Sequence, residues 1–340
     1  MLLSLFVSFA FADCGPLNLQ DRKIQNLTSI RNESCINSTD SSYSGSATSL
    51  NWKTVNIANG NFENAVMNGI NWLRSEVSAT YFRKVTLNKA QLNDDNFQDL
   101  DLFRISTQEF TLQRSQFGGT GIEFLNSSQT DIIDSQMVGL DISKAQMSDT
   151  VFSNTQVRDS KFSDLSLVRT KISLSNWSQV SAQSLTIGNL SATGLNLDKL
   201  ELVNSTIDQV DLINLQSTDL RIVGSRVTQL QVKGSQLRGL QILQPTTLFH
   251  LQITDSQLYS PTFKMAQFAY LTLQDVNIFG ATFQQSSFAD THFNHVHFIN
   301  CDLSDVQFLS GISFQNSTFD SATKFPAGFK IPDGLTLKGD

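Results

Sequence analysis

Three histidines near the C-terminal end form the densest group of potential metal ligands. His292, His295 and His297 lie within six residues, and Asp302 follows them. Imidazole and carboxylate groups at this density can bind zinc or copper. His292 and His297, however, occupy equivalent positions of the repeat described below, on adjacent sides of the predicted coil, so they point in different directions. We predict that these histidines are ordinary solvent-exposed polar side chains, with no metal site and no bound cofactor.

Closely spaced acidic residues offer a second kind of chemistry, the cleavage of carbohydrates. The pairs are Asp131 with Asp134 and Asp208 with Asp211, and glycosidases act through paired carboxylates. These residues fall on predicted outward positions, where solvated carboxylates are the ordinary case. The sequence contains no Gly-rich phosphate loop, nucleophile elbow or metalloprotease motif. We predict a protein that is not an enzyme, and an extracellular carbohydrate-active enzyme is the alternative.

Side-chain amides recur every twenty residues through most of the chain. The series, which includes one glutamate, is Asn56, Glu76, Asn96, Gln116, Gln136, Gln156, Asn176, Asn196, Gln216 and Gln236. Amides stacked at strand spacing hydrogen-bond to one another. The spacing therefore predicts a coil of about twenty residues with an amide ladder along one side.

A shorter period of five residues lies within the twenty. The series begins Ile57, Phe62, Met67, Trp72, Val77, Phe82, Leu87, Leu92, Phe97 and Leu102. It continues to Ile242, shifts by one residue near Pro245, resumes from Leu248 to Phe308, and shifts again before Phe314. Neither a helical nor a strand period keeps this phase. A fixed repeat of this kind indicates a solenoid. We call each member of the series a central position.

The residue two before each central position is also predicted to point inward, and we call it the first inward position. Where the central residue is small, its partner is large. The small central residues are Thr107, Ser127, Ala182, Ala192 and Ser217, and their partners are Ile105, Leu125, Val180, Leu190 and Leu215. A close-packed interior keeps its volume nearly constant, so this exchange supports the assignment of both positions.

At this point the chain resembles the pentapeptide-repeat family, whose motif is a small residue, Asn or Asp, Leu or Phe, and two free positions. Matching stretches are Gly280-Ala281-Thr282-Phe283, Asn300-Cys301-Asp302-Leu303 and Val276-Asn277-Ile278. The resemblance covers roughly residues 47–330 and implies a right-handed four-sided parallel β-helix. The chain departs from the family in placing Leu at many first inward positions and in favouring Gln, Ser and Thr over Asp at the next position.

The 340 residues carry a net charge of −7, and 16% of them are charged. We predict an all-β solenoid of about thirteen coils, which at about 4.8 Å per coil is roughly 60–65 Å long. The predicted segments are a signal peptide (1–12), an N-terminal cap or linker (13–46), the β-helix (47–330) and a C-terminal tail (331–340). Outward positions mix both charges, which opposes a further alternative, a DNA-mimicking or other inhibitory pentapeptide protein.

The N-terminal residues indicate the secretory pathway. Residues 1–12 are apolar and end in a small-x-small cleavage site before Asp13. We expect secretion, in a eukaryote because no Lys or Arg precedes the apolar run, and no stable membrane span. In an oxidising compartment, Cys14 and Cys35 are expected to form a disulfide that closes the cap. Cys301 falls on a first inward position and is expected to be a small buried residue.

Several asparagines are candidates for N-glycosylation, although a chain this rich in Ser and Thr contains such triplets by chance. The candidates are Asn26, Asn32, Asn37, Asn126, Asn189, Asn204 and Asn316. Asn176 also begins a triplet, but it is a rung of the amide ladder.

An outward apolar stripe provides a candidate contact surface. Val203, Val223 and Leu243 occupy equivalent positions on successive coils, and a stacked apolar stripe on a polar rod is typical of an interaction site. The competing interpretation is three aliphatic side chains that merely suit strand geometry. We predict a secreted scaffold or interaction protein with an unknown protein or glycan partner, no nucleic acid partner, and a possible homodimer.

Overall fold

The computed structural model describes residues 17–18, 23–24, 36–39, 41–48 and 51–338. These residues form short parallel β-strands joined by bends, and they contain no helix. Most strands have three or eight residues, because a bend interrupts the chain at most of the five-residue boundaries.

The strands in the N-terminal third, β1 to β15 in chain order, are Leu17–Asn18, Lys23–Ile24, Ile36–Thr39, Ser42–Thr48, Asn51–Lys53, Asn56–Ala58, Asn61–Asn68, Asn71–Leu73, Glu76–Ser78, Tyr81–Arg83, Thr86–Asn88, Gln91–Asn93, Asn96–Gln98, Asp101–Gln113 and Gln116–Gly118. The middle strands, β16 to β31, are Gly121–Ile133, Gln136–Val138, Asp141–Ser143, Gln146–Ser153, Gln156–Ser163, Ser166–Val168, Lys171–Ser173, Asn176–Gln183, Thr186–Thr193, Asn196–Val203, Thr206–Ile213, Gln216–Thr218, Arg221–Val223, Arg226–Lys233, Gln236–Arg238 and Gln241–Leu243. The C-terminal strands, β32 to β43, are Thr246–Thr254, Gln257–Tyr259, Thr262–Lys264, Ala266–Ala269, Thr272–Phe279, Thr282–Gln284, Ser287–Ala289, His292–Ile299, Gln307–Phe308, Ser313–Gln315, Ser317–Phe319 and Leu335–Leu337.

Strand pairing confirms the coil of twenty residues. Val77 is paired in parallel with Phe97, and Phe97 with Phe117, so each coil lies directly on the one before it. Four five-residue units complete one coil, and the solenoid has about 15 turns, close to the thirteen expected. The predicted four-sided parallel β-helix is therefore confirmed. Residues that stack at this spacing are called a column below.

Both interruptions of the five-residue phase are one-residue insertions, as predicted. Val227 pairs with Leu248, which is 21 residues later, and Thr246 then pairs with Ala266 at the normal spacing. The second insertion makes Phe293 pair with Phe314. The central residues therefore stay in their columns across both insertions.

The central residues form the core, and their aromatic rings stack from coil to coil. Near the N-terminal end, Phe62 lies between Tyr43 and Phe82, with ring centroids 4.4 and 4.6 Å apart. Near the C-terminal end, Phe288 lies 4.8 Å from Phe268 and 5.8 Å from Phe308. Stacking places ring against ring at each step, which fills the interior of these coils.

Small hydroxyl residues at the first inward position form hydrogen bonds to the neighbouring coil. The Asp95 N–H donates to Ser115 Oγ over 3.1 Å, and the Ser115 N–H donates to Ser135 Oγ over 3.2 Å. The Ser135 hydroxyl in turn donates to the carbonyl of Ile133 over 2.7 Å. Because these hydroxyls both accept and donate, buried Ser is tolerated here.

A feature that the sequence did not predict is the left-handed backbone two residues after most central positions, which we call the corner position. Asn59, Asp94 and even the exposed Leu174 have φ between 48° and 59°. Residues other than Gly normally avoid this region. Each corner amide donates to the next coil, as from Asp94 N–H to the Gln113 carbonyl over 3.0 Å. These hydrogen bonds hold the corner conformation for many residue types.

The amide column stacks as predicted, but its side chains do not hydrogen-bond to one another. Gln116 pairs with Gln136 and Gln156 with Asn176, yet between residues 56 and 236 no rung donates to the next. Asn96 Oδ1, for example, accepts from Gln98 Nε2 over 2.8 Å. Outward amides can hydrogen-bond to solvent instead, and the backbone supplies the bonds between coils. The expected hydrogen-bonded ladder was therefore wrong.

Parallel pairing also reaches segments that were assigned to the cap and to the tail. At the N-terminal side, Leu17 pairs with Ile36 and Ser42 with Asn61. At the C-terminal side, Leu335 is buried and pairs with Ser317, and the stacked rings of Phe325 and Phe329 lie 5.0 Å apart. These residues cover the last coil, whose backbone would otherwise be open to other chains.

Candidate contact surface

The predicted apolar stripe is one column, but its middle member is covered. Val203 pairs with Val223, and Val223 with Leu243. Val223 is only 5% exposed, whereas its two neighbours are partly exposed. Aliphatic side chains 4.8 Å apart shield one another, so the stripe offers less apolar surface than the sequence indicates. Beside it, Arg221 and Glu201 form an ion pair, with 2.9 Å between Nη1 and Oε1.

Sequence reasoning missed a second outward column, which we call the aromatic column and which comprises Arg238, Tyr259, Phe279 and Ile299. The Tyr259 and Phe279 rings stack with centroids 5.0 Å apart and planes inclined by 8°. The Arg238 guanidinium lies 4.5 Å from the Tyr259 centroid, within range of a cation–π contact. Counting the residue after each central position across the Pro245 insertion would have found this column.

The surroundings of the aromatic column keep its rings accessible. The adjacent corner positions carry Gly239, Ser260 and Gly280, which are too small to cover the rings. On the other side lie the polar residues Gln257 and Asn277, and the Tyr259 hydroxyl is hydrogen-bonded to Gln257. Tyr259, Phe279 and Ile299 are all partly exposed. The column is therefore an apolar strip bordered by hydrogen-bonding groups.

A separate aromatic cluster lies on another side of the same coils. Phe249 contacts Tyr270 at 5.0 Å between centroids, and His250 stacks on Tyr270 at 4.8 Å. Tyr270 is 46% exposed. The cluster spans two coils, whereas the aromatic column has one residue in each of four successive coils. The column therefore offers the longer contact surface.

The three C-terminal histidines do not converge. His292 Nδ1 lies 2.7 Å from Ser313 Oγ, and His297 Nδ1 lies 2.7 Å from Thr318 Oγ1. His295 Nδ1 lies 3.5 Å from Asp275 Oδ1. Within the described ranges, no three His, Cys, Asp or Glu side chains are placed to hold a metal ion.

Corner carboxylates are largely engaged with neighbouring coils. Asp94 receives a bidentate contact from Arg114, with 2.6 Å from Nε to Oδ1, and this contact lowers the pKa of Asp94. Arg169 holds Asp149 in the same way and lowers its pKa. Asp134 accepts a hydrogen bond from Asn154 over 2.8 Å. These partners indicate a structural use of the acids along the corners.

One carboxyl is buried inside the coil, which sequence reasoning did not single out. Asp95 stands at a first inward position and is 2% exposed. Its Oδ1 accepts the Ser75 N–H over 2.6 Å, and burial raises the pKa of Asp95 to about 7. Its column is otherwise occupied by Ser75, Ser115 and Ser135.

The glycosylation candidates divide into described and undescribed residues. Asn126, Asn189, Asn204 and Asn316 are exposed, as outward positions require, and Asn316 Nδ2 lies 3.3 Å from His295 Nε2. The signal peptide 1–12, the cysteines Cys14 and Cys35, and Asn26 and Asn32 lie outside the described residues, as does the side chain of Asn37 in β3. Cys301 is buried as expected, and desolvation raises its pKa to about 11.

Comparison with known proteins agrees with this geometry. Residues 277–308 match the family described as pentapeptide repeats (eight copies). Residues 277–308 are pentapeptide repeats. The repeat geometry extends beyond the matched residues, because the same pairing at twenty runs through the coils that precede them. No curated protein sequence matches the chain.

One solved structure similar to this chain is HetL, a pentapeptide repeat protein involved in heterocyst differentiation regulation from the cyanobacterium Nostoc sp. strain PCC 7120. HetL is 15% identical with a TM-score of 0.42 over 68% of this chain and 92% of HetL. QnrB1, a plasmid-mediated fluoroquinolone resistance protein, is 12% identical with a TM-score of 0.24 over 63% of this chain and 92% of QnrB1. The bacteriophage Det7 tailspike is 7% identical with a TM-score of 0.40 over 94% of this chain and 76% of the tailspike. Across the described residues, no helix has the length and apolar character needed to cross a membrane.

Proposed function

We propose that this protein is a secreted, non-enzymatic scaffold that binds a protein or glycan partner through the aromatic column. The observation that carries the proposal is the stacked, partly exposed pair Tyr259 and Phe279 with Arg238 over its end. The core of these coils is filled by the central residues, so outward aromatic rings are not needed to complete it. A continuous apolar strip on a polar surface is typical of an interaction site.

The residue types of the aromatic column suit the centre of an interface. Tyr and Arg are enriched among the residues that contribute most to binding, and aromatic rings bury large areas with little loss of side-chain freedom. The stack already restrains both rings, so less entropy is lost on binding. The bordering amides can supply hydrogen bonds to either a protein backbone or sugar hydroxyls.

Paired substitutions test the aromatic column. We expect the double variant Tyr259→Ser/Phe279→Ser to bind its partner about tenfold more weakly or worse, because each lost aromatic anchor removes more than about 1 kcal/mol. Binding is measured on immobilised polysaccharides and extracellular matrix proteins, and self-association by sedimentation velocity.

The matched control is Phe249→Ser/Tyr270→Ser, which removes the aromatic pair on another side of the same coils. This control is expected to bind like the wild type. The proposal fails if the two double variants bind equally, or if the wild type binds none of the surfaces and sediments as a monomer. Val223 is a poorer probe, because a covered side chain affects stability as well as contact.

Secretion is part of the proposal and rests on the apolar residues 1–12 before Asp13. We expect the protein purified from its native source to begin at Asp13, to contain a Cys14–Cys35 disulfide and to lose mass on enzymatic removal of N-glycans. Intact-mass spectrometry checks all three, and an Asn204→Gln variant shows whether that exposed site is used. A mass that still includes residues 1–12 contradicts secretion.

Ion pairing on the outer surface opposes the alternative of a DNA-mimicking inhibitor. Such a surface needs dense, unpaired negative charge. Here Asp94, Asp149 and Glu201 each have an Arg partner within 2.9 Å. The acidic excess is therefore partly neutralised where it could have formed continuous columns.

A further inference from the structure

The interior of the solenoid is not filled throughout. An internal cavity of about 160 Å³ runs along the coils between Trp72 and Trp177. Trp72 stacks on Trp52 at 5.3 Å on its N-terminal side. Beyond Trp177, large residues such as Leu185 and Leu195 occupy the first inward positions and fill the coil. The cavity is thus confined to one segment of the rod.

Two consecutive small residues in one column lie in the wall of the cavity. The column runs Leu87, Thr107, Ser127, Met147 and Leu167, so large side chains stand on both sides of the two small ones. Ile105 and Leu125 were expected to compensate for these small residues. They line the cavity without closing it, because a side chain two residues away enters the coil at a different point.

The hydroxyl groups in the cavity wall satisfy one another. Thr107 Oγ1 donates to Ser127 Oγ over 2.8 Å, and Ser127 Oγ lies 2.5 Å from Thr130 Oγ1. The indole N–H groups of Trp72 and Trp177, at the two ends of the cavity, are buried without a hydrogen-bond partner. Between them the wall also carries apolar side chains such as Phe117 and Met147. A water molecule needs two to four polar partners to occupy a buried site. With its hydroxyls already paired and one indole N–H at each end, the wall offers a water molecule too few hydrogen-bond partners.

We infer that this cavity binds a small apolar molecule of about the size of benzene. Dry apolar cavities of about 150 Å³ in other proteins accept benzene or xenon. The ligand class is set by the wall, whose hydroxyls are paired and whose unpartnered donors, the indole N–H groups of Trp72 and Trp177, lie only at its two ends. Entry requires a transient opening of the coils, as local unfolding allows. The inference concerns the interior and is independent of the proposed contact surface.

Thermal unfolding in the presence of benzene tests the inference. At a benzene concentration ten times the dissociation constant, binding to the folded state raises the folding equilibrium constant about elevenfold, so the unfolding temperature of the wild type is expected to rise. The Ser127→Met variant extends a flexible chain into the cavity and is expected to lose this rise. Crystals pressurised with xenon should show a bound atom beside Ser127.

The matched control is Ser217→Met, the same change at a buried central position outside the cavity, which is expected to keep the benzene-induced rise. Phe117→Ala enlarges the cavity and should increase the rise, which keeps the test informative if Ser127→Met fails to fold. The inference is overturned if benzene leaves the wild type unchanged, if Ser127→Met responds as strongly as Ser217→Met, or if the xenon site holds ordered water.

Discussion

Replacing Asp95 by Ser is expected to raise the free energy of unfolding more at pH 8 than at pH 4. The difference between the two pH values is about 4 kcal/mol. The folded-state pKa of Asp95, about 7, lies above the ordinary aspartic acid value of 3.8 because the carboxyl is buried. Between these values the folded chain retains a proton that the unfolded chain has lost. The stability that Asp95 allows is therefore fully present below pH 3.8 and decreases as the pH rises to about 7. Above pH 7 the loss of stability is complete and no longer changes with pH. Ser removes the cost of ionising a buried carboxyl. It also suits the column, in which the hydroxyls of Ser115 and Ser135 already accept hydrogen bonds from backbone N–H groups.

Urea unfolding of the wild type and of Asp95→Ser from pH 4 to pH 8 measures the effect. Four other carboxyls have lowered pKa values: Asp94, Asp149, Asp302 and Asp320. Their contributions to stability are lost as the pH falls below 3.8, whereas Asp95 acts between pH 3.8 and about 7. Asp101→Ser, which removes an exposed carboxyl, is the control and should follow the wild type. Parallel pH profiles for wild type and Asp95→Ser would show that the buried carboxyl carries no such penalty.

The second large effect is expected from Phe288→Ala, which should lower the free energy of unfolding of the C-terminal coils by about 3–5 kcal/mol. Phe288 is 1% exposed and contacts four rings, with centroids 4.8 to 5.8 Å away: Phe268, Phe283, Phe293 and Phe308. Its truncation leaves a cavity that the stacked rings above and below cannot fill, because paired backbones fix the spacing of the coils.

Hydrogen exchange measures this loss of stability in the C-terminal coils. The unfolding temperature measures it for the whole rod. Phe279→Ala is the matched control, since it removes a ring of the outward aromatic column and should cost about 1 kcal/mol. An equal loss in the two variants would mean that the inward and outward assignments do not determine stability here. In a solenoid each coil contacts only its neighbours, so the N-terminal coils should keep their exchange rates.

The architecture was accessible from the sequence because it is periodic. Ile57 and its successors keep one phase, and each inward position meets the same environment in every coil. The two insertions were also visible, since a one-residue shift at Pro245 or before Phe314 moves every later central residue. Pairing at twenty then follows from four five-residue units per coil.

Other features depend on neighbours that sequence spacing does not weigh. The outward stripe was located correctly, but only stacking shows that Val203 and Leu243 cover Val223. The aromatic column was missed because its members share no residue type, although Arg238, Tyr259 and Phe279 align once the one-residue shift at Pro245 is counted. The left-handed corners were missed because residues as different as Asp94 and Leu174 occupy them.

The sequence by itself determined the repeat length, the inward positions, the two insertions and the family resemblance, because these depend on a pattern that recurs many times. Only the tertiary structure decided where the interior is full and where it is empty. Thr107 and Ser127 each have a large partner two residues earlier, yet the cavity remains because volume must be supplied at the right place in the coil. For the same reason the buried Asp95 and the exposed Tyr259 acquire their properties from the coils above and below them.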